Sequence, residues 1–214
     1  MHIWRIGDYR ARRKENALSE VDIALSIALG IGLAAATGFR VFLPLLVLSL
    51  ASRYGGMPLS DGFAWLSSPA AMSMLAVAAT LEALAYFMPG LDHMLDTLAT
   101  PAAVAAGILV AAAVMVDLPP MLKWVLAIIA GGGAAALTQG TTVALRTHSA
   151  IFTAGLGNPL VAGLELIASL AMSLVALAAP FIAVALVGLA GLLAVRALRK
   201  ASRAGPPAWR DPQR

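Results

Sequence analysis

Long stretches with almost no charge constrain this chain more than any other feature. Ile23–Ala51 carries only Arg40, and Leu66–Met88 only Glu82. Thr97–Val116 and Trp124–Leu145 carry none, and Thr147–Val195 only Glu165. A hydrocarbon core about 30 Å thick is spanned by roughly 20 apolar residues of helix, so each stretch is long enough to cross a bilayer. Charged residues make up 12% of the sequence and hydrophobic ones 60%, whereas a soluble domain carries about a quarter charged residues. So little charge cannot coat a water-soluble globule, and the apolar excess excludes disorder. With no cysteine, disulfides, thiolate metal sites and cysteine nucleophiles are excluded.

The fold expected is an all-α polytopic membrane bundle of about six crossings, near 23–50, 70–88, 99–117, 122–145, 159–178 and 180–197. A straight helix over Ile23–Ala51 would run about 43 Å at 1.5 Å per residue. It must therefore tilt strongly, or break around Thr37-Gly38 and Pro44. A basic head before an apolar run that reaches Ala34-Ala35-Ala36 also fits a signal peptide, but the run resumes to Ala51, twice a normal h-region, and favours a retained crossing. The net charge of +4 comes from the ends: residues 1–20 hold five basic side chains and 196–214 hold six. Under the positive-inside rule, basic tails at 1–20 and 198–214 predict cytoplasmic termini, and an even number of crossings agrees. Nucleic acid is not expected as a partner; the lipid bilayer and a small ion or solute are, and Ala/Gly-rich faces permit a homodimer.

The halves echo one another. Gly32–Gly38 followed by Arg40 resembles Gly133–Gly140 followed by Arg146; Ser68-Pro69 leading to Glu82 resembles Asn158-Pro159 leading to Glu165; Pro101 and Pro180 each open an alanine-rich helix. Residues 21–120 and 121–197 are thus expected to be an inverted repeat of three plus three helices, with broken or re-entrant segments, as in many secondary transporters. Composition alone makes alanine-rich helices look alike, which is the competing explanation.

Ionisable groups at membrane depth are the candidate site. Arg40 reads as an anion or substrate anchor at a helix break, or else as a structural ion pair or an interfacial side chain. Glu82 and Glu165, at matching places in the two halves, would form a cation site or proton relay, or would tie down Arg40 and Arg146 respectively. Asp92 and Asp96, at i and i+4 beside His93, have oxygen spacing suited to a hard divalent cation or a gate; a short interfacial turn capped by Asp92 competes with that. Gln139, with Thr138, Thr141 and Thr142, offers a polar lining or helix-to-helix hydrogen bonds. Gly131-Gly132-Gly133 predicts a close helix contact or an unwound segment, and His148 and Asn158-Pro159 a loop or re-entrant turn. No P-loop, HExxH or GxSxG motif is present, so neither an enzyme nor a cofactor is expected.

The segments GLAAATGFRVFLPLL (32–46), PGLDHMLDTLATPAA (89–103) and TAGLGNPLVAGLE (153–165) resemble a bacterial family of multi-pass membrane proteins with a domain of unknown function. The likeness covers about residues 23–195 and implies an embedded position for Arg40, Glu82, Asp92, Asp96, Arg146 and Glu165. It also implies an acid after the position of Glu165, where this chain has Leu166. The leading expectation is a transporter or permease coupled to a cation or proton through its carboxylates; a channel and a non-transporting scaffold or lipid-handling protein are the alternatives.

Overall fold

A computed structural model describes residues 4–86, 92–116, 118–153 and 156–203, with side chains described within 20–86, 98–116, 118–153, 156–196 and 199–200. The described residues are all-α: α1 (Trp4–Thr37), α2 (Phe42–Gly55), α3 (Pro69–Tyr86), α4 (Asp92–Val114), α5 (Pro120–Thr153), α6 (Asn158–Ala178) and α7 (Pro180–Arg203). Four of them, taken as Glu20–Thr37, Pro69–Tyr86, Pro120–Thr153 and Asn158–Ala178, are long and apolar enough to cross a membrane.

The distribution of side-chain size identifies the solvent. On α6 the buried positions are Asn158, Ala162, Glu165, Ser169, Ser173 and Ala176, spaced three or four apart along one face. Its outward positions are Leu160, Leu164, Ile167 and Leu174, each more than half exposed. Small and polar residues face inward while large aliphatic ones face outward, the reverse of a water-soluble helix. Small residues let membrane helices approach closely, and the large ones meet lipid tails. The protein is membrane-embedded.

Proline and serine set several boundaries. The Ser68 hydroxyl accepts from the Ala71 amide at 3.1 Å, capping α3, whose first residue, Pro69, has no N–H to satisfy. Pro159 lies in the first turn of α6 and Pro180 opens α7, leaving Ala179 as the whole turn between them. Gly56 closes α2 with φ 67°, a conformation that favours glycine.

The stretch expected to cross over 23–50 forms two helices, broken after Thr37 as one of the two alternatives had it, while Pro44 lies inside α2. α1 tightens at its end, where the Gly38 and Phe39 amides bond the Ala35 and Ala36 carbonyls at 3.1 Å. After the break, α2 turns back along α1. Ser49 Oγ donates to the Leu66 carbonyl at 2.6 Å and the Ser60 amide to the Ala113 carbonyl at 2.7 Å, so α2 ends beside the start of α3 and the end of α4. Lys123 Nζ donates to Ser60 Oγ at 2.5 Å and brings the start of α5 to this Ser60 end of the bundle. Tyr86 marks the opposite end.

Close approaches fix the directions of the other helices. Gly30 faces Ala111 and Met115, and the Thr37 hydroxyl lies 3.1 Å from the Ala103 carbonyl, so α1 and α4 are antiparallel. Gly32 faces Ala176, and Ser169 Oγ donates to the Ala36 carbonyl at 3.0 Å, so α6 also opposes α1. α5 opposes α4 through Gly131 against Gly107 and Ala111, and it therefore runs in the same sense as α1. The expected close contact at the glycine triplet is present, and the helix widens to π over Ala127–Gly132. The crossing expected to end at 145 continues to Thr153, which puts His148 on a helix; Asn158-Pro159 opens α6.

A Cβ on Gly131 would lie 2.6 Å from Ala111 Cβ, while one on Gly133 would meet nothing within 4 Å. Gly131→Ala is therefore expected to cost about 1–3 kcal/mol through overpacking, and Gly133→Ala to leave stability unchanged or slightly raised. Thermal unfolding in detergent checks the difference, and equal midpoints for the two variants would contradict this packing.

Candidate functional site

The break after α1 lies deep in the bundle and gathers charge from three other helices. Arg40, 1% exposed, follows the break. Its Nη2 donates to the Ala162 carbonyl at 2.7 Å and lies 3.4 Å from Glu165 Oε2. Arg146 of α5 grips the same carboxylate with two nitrogens: Nε donates to Oε1 at 2.9 Å, and Nη2 donates to Oε2. Arg146 and Glu165 are each 4% exposed. Tyr86, at the end of α3, lies against both guanidinium groups, with its ring centroid 4.2 Å from Arg40 Cζ and 4.0 Å from Arg146 Cζ. Cation–π attraction at such distances is strongest where water is excluded.

Glu82 acts on the backbone. Its Oε1 accepts from the Val41 amide at 2.7 Å and its Oε2 from the Phe42 amide at 3.0 Å. No side chain within α2 caps these first amides, so a carboxylate from another helix serves them and meets the positive end of the helix dipole. The α1–α2 join stays close to α5 because Gly38 has no side chain: a Cβ there would sit 2.5 Å from the Ala135 carbonyl oxygen and 2.8 Å from the Gln139 nitrogen.

The site residues read from the sequence thus separate into groups. Arg40, Arg146 and Glu165 are in one cluster. Glu82 adjoins it through Val41, and the buried Gln139 lies beside the break. Glu165 pairs with Arg146 as one reading held, but Glu82 binds amides where a tie to Arg40 was the alternative. The Thr138, Thr141 and Thr142 hydroxyls donate to carbonyls of their own helix, not across to a neighbour. The side chains of Asp92, His93 and Asp96 lie outside the described residues; among the described residues no three His, Asp or Glu side chains group as a metal site would require. Sequence reasoning missed Tyr86, although it follows Glu82 by four residues and so shares its face. It also missed the buried Lys123–Ser60 pair, which pins the 56–63 loop to α5.

Beside the cluster a cleft of about 420 Å³ opens between α2, α3 and α4, lined by Val41, Phe42, Leu81, Glu82, Tyr86 and Leu98 among others. Its rim is apolar, with Leu81 61% and Leu98 69% exposed. Among the described residues Glu82 is its one charged lining residue. The guanidinium of Arg40 has a further property: Nε and Nη1 are buried and have no hydrogen-bond acceptor among the described residues.

An inside-out helical bundle with two arginines and a carboxylate buried at a broken helix is a membrane-embedded α-helical protein with a polar cluster inside the bundle. A family profile described as domain of unknown function DUF4126 matches residues 27–200, and the chain belongs to that family. No curated protein and no solved structure matches the chain.

Proposed function

We propose that the chain is a membrane transporter or permease for an ion or small polar solute, coupled to a cation or proton through Glu82 and Glu165, in a bacterial inner membrane. The observation that carries this reading is the burial of Arg40, Arg146 and Glu165 at a break in a lipid-facing bundle. A charge at membrane depth costs at least about 2.5–3.5 kcal/mol, and broken helices at that depth commonly mark solute paths. Glu82 would couple binding to movement, since losing its charge would loosen the start of α2.

The helix directions support five crossings and one re-entrant hairpin in place of six crossings. α2 has 14 residues, about 21 Å at 1.5 Å per residue, so the hairpin tip reaches roughly two thirds of the way through a 30 Å core. An odd number of crossings puts the ends of the chain on opposite faces, in place of two cytoplasmic termini. The inverted repeat has partial support. The pairs α3–α6 and α4–α7 run in opposite senses, whereas α1 and α5 run in the same sense; α2 is the element that opposes α5.

The test is flux in vesicles that enclose a pH-sensitive dye, with imposed gradients of sodium, potassium, nitrate and formate. The wild-type protein is expected to give a saturable pH change with at least one gradient. Glu82→Gln is expected to abolish it while remaining folded. If folded wild-type protein gives no saturable response, the second reading gains, a lipid-handling protein; the apolar rim of the cleft is the observation that favours it.

A further inference from the structure

We infer that the end of α7 binds an anionic glycerophospholipid of the bilayer, its phosphate against Arg196 and Lys200 and an acyl chain along the leucines below them. α7 packs on the bundle through a narrow face of Ala183, Val187 and Gly191, the last set against Leu137 of α5. The opposite face is one stripe of Leu189, Leu192, Leu193, Arg196, Arg199 and Lys200, exposed throughout and recurring at helical spacing. Along it the side chains change from aliphatic to basic at a single point, residue 196.

Depth accounts for that change. A Cβ on Gly32 would meet Ala176 and Ala183 alike, so residues equally far from the Ala179 turn lie at one level. On that count Lys200 is level with Asn158, the first residue of α6. The 21 residues of α6 rise about 31 Å, close to the roughly 30 Å of a hydrocarbon core. Lys200 therefore stands at the hydrocarbon boundary. Arg196 lies one turn inside it, near enough for its long side chain to reach the same level. Lipid phosphates lie at that boundary.

Charge and shape select the occupant. Residues 166–210 contain no Asp or Glu, so no acid of α7 offsets its basic end. Two cations one helical turn apart suit a phosphate group. A zwitterionic headgroup would bring its own cation into the same space, and an anionic headgroup does not. A soluble anion would leave Leu189, Leu192 and Leu193 uncovered, whereas a phospholipid covers both parts of the stripe.

Phosphatidylglycerol is titrated into purified full-length protein in a neutral detergent, with retained lipid counted by native mass spectrometry and phosphatidylcholine as the comparison. Phosphatidylglycerol is expected to be held more tightly, with a preference that shrinks as sodium chloride is raised. Arg196→Gln combined with Lys200→Gln should weaken its tightest binding about 25-fold, about five-fold for each charge removed, and leave phosphatidylcholine unaffected. Both substitutions lie opposite the packing face. Arg196→Lys combined with Lys200→Arg keeps both charges and should stay close to wild-type affinity. Glycerophosphoglycerol, the same headgroup without chains, should fail to displace the lipid. Equal retention of the two lipids by folded wild-type protein would overturn the inference, as would undiminished selectivity in the double glutamine variant. Displacement by glycerophosphoglycerol or inorganic phosphate would overturn the assignment to a bilayer lipid. The measurement needs no flux, so its outcome and that of the vesicle assay are independent.

Discussion

Glu165→Leu is expected to lose about 3–5 kcal/mol of stability, the usual cost of stranding a buried charge by removing its partner. Here one carboxylate serves two guanidinium groups, so its loss leaves the two arginines adjacent without the charge that lies between them. For a chain of this size the loss corresponds to a fall in unfolding midpoint on the order of 10 °C, read by thermal unfolding in detergent. Adding Arg146→Met should recover part of the loss, because it removes one of the stranded charges and puts an apolar side chain of similar length in its place. A single variant that melts with the wild type would show that the cluster is hydrated and the ion pair adds little. A double variant less stable than the single one would show that Arg146 holds the bundle through contacts other than Glu165, the Tyr86 ring among them.

Residues 20 and 199 are expected to label from opposite sides of the membrane. The chain has no cysteine, so single cysteines at Glu20 and Arg199, both described as exposed, can be introduced without first removing any. In intact cells a membrane-impermeant maleimide should modify one of them, and permeabilisation should be needed for the other. The reason is the reversal at 38–41: α2 returns the chain to the Ser60 end, and five further helices leave it at the other. A complete first crossing would instead put both cysteines on one face and give identical labelling. That result would also require the Ser60–Ala113 and Ser49–Leu66 hydrogen bonds to be absent in the membrane.

Much of the fold was legible because its punctuation is local. Pro69, Pro159 and Pro180 start helices wherever they occur in an apolar run, and the starts of α3, α6 and α7 lie within a residue of expectation. The Thr37-Gly38 break was also legible, since 29 apolar residues in one straight helix exceed the bilayer. The direction taken after the break was not. A reversal and a continued crossing have the same hydropathy, and what distinguishes them is where Ser49 and Ser60 find acceptors in distant segments. The length of α5 was hidden because Arg146 looks like a boundary charge until Glu165, 19 residues on, is known to neutralise it. For the site, burial of Arg40, Arg146 and Glu165 followed from charge in apolar sequence. That Glu82 caps α2 did not follow, because the amides it serves are 40 residues away in the chain.

The Ala179 turn has a mechanical consequence. With one residue between Val175–Ala178 and Pro180, and the Ala179 amide bonded to the Val175 carbonyl at 2.7 Å, the last two helices form a stiff elbow with no slack. Any tilt of the helix that carries Glu165 must swing the C-terminal helix with it. A spectroscopic label on the exposed Arg199 or Lys200 would then act as the pointer of a gauge, registering at the membrane surface a rearrangement that begins around the buried arginines.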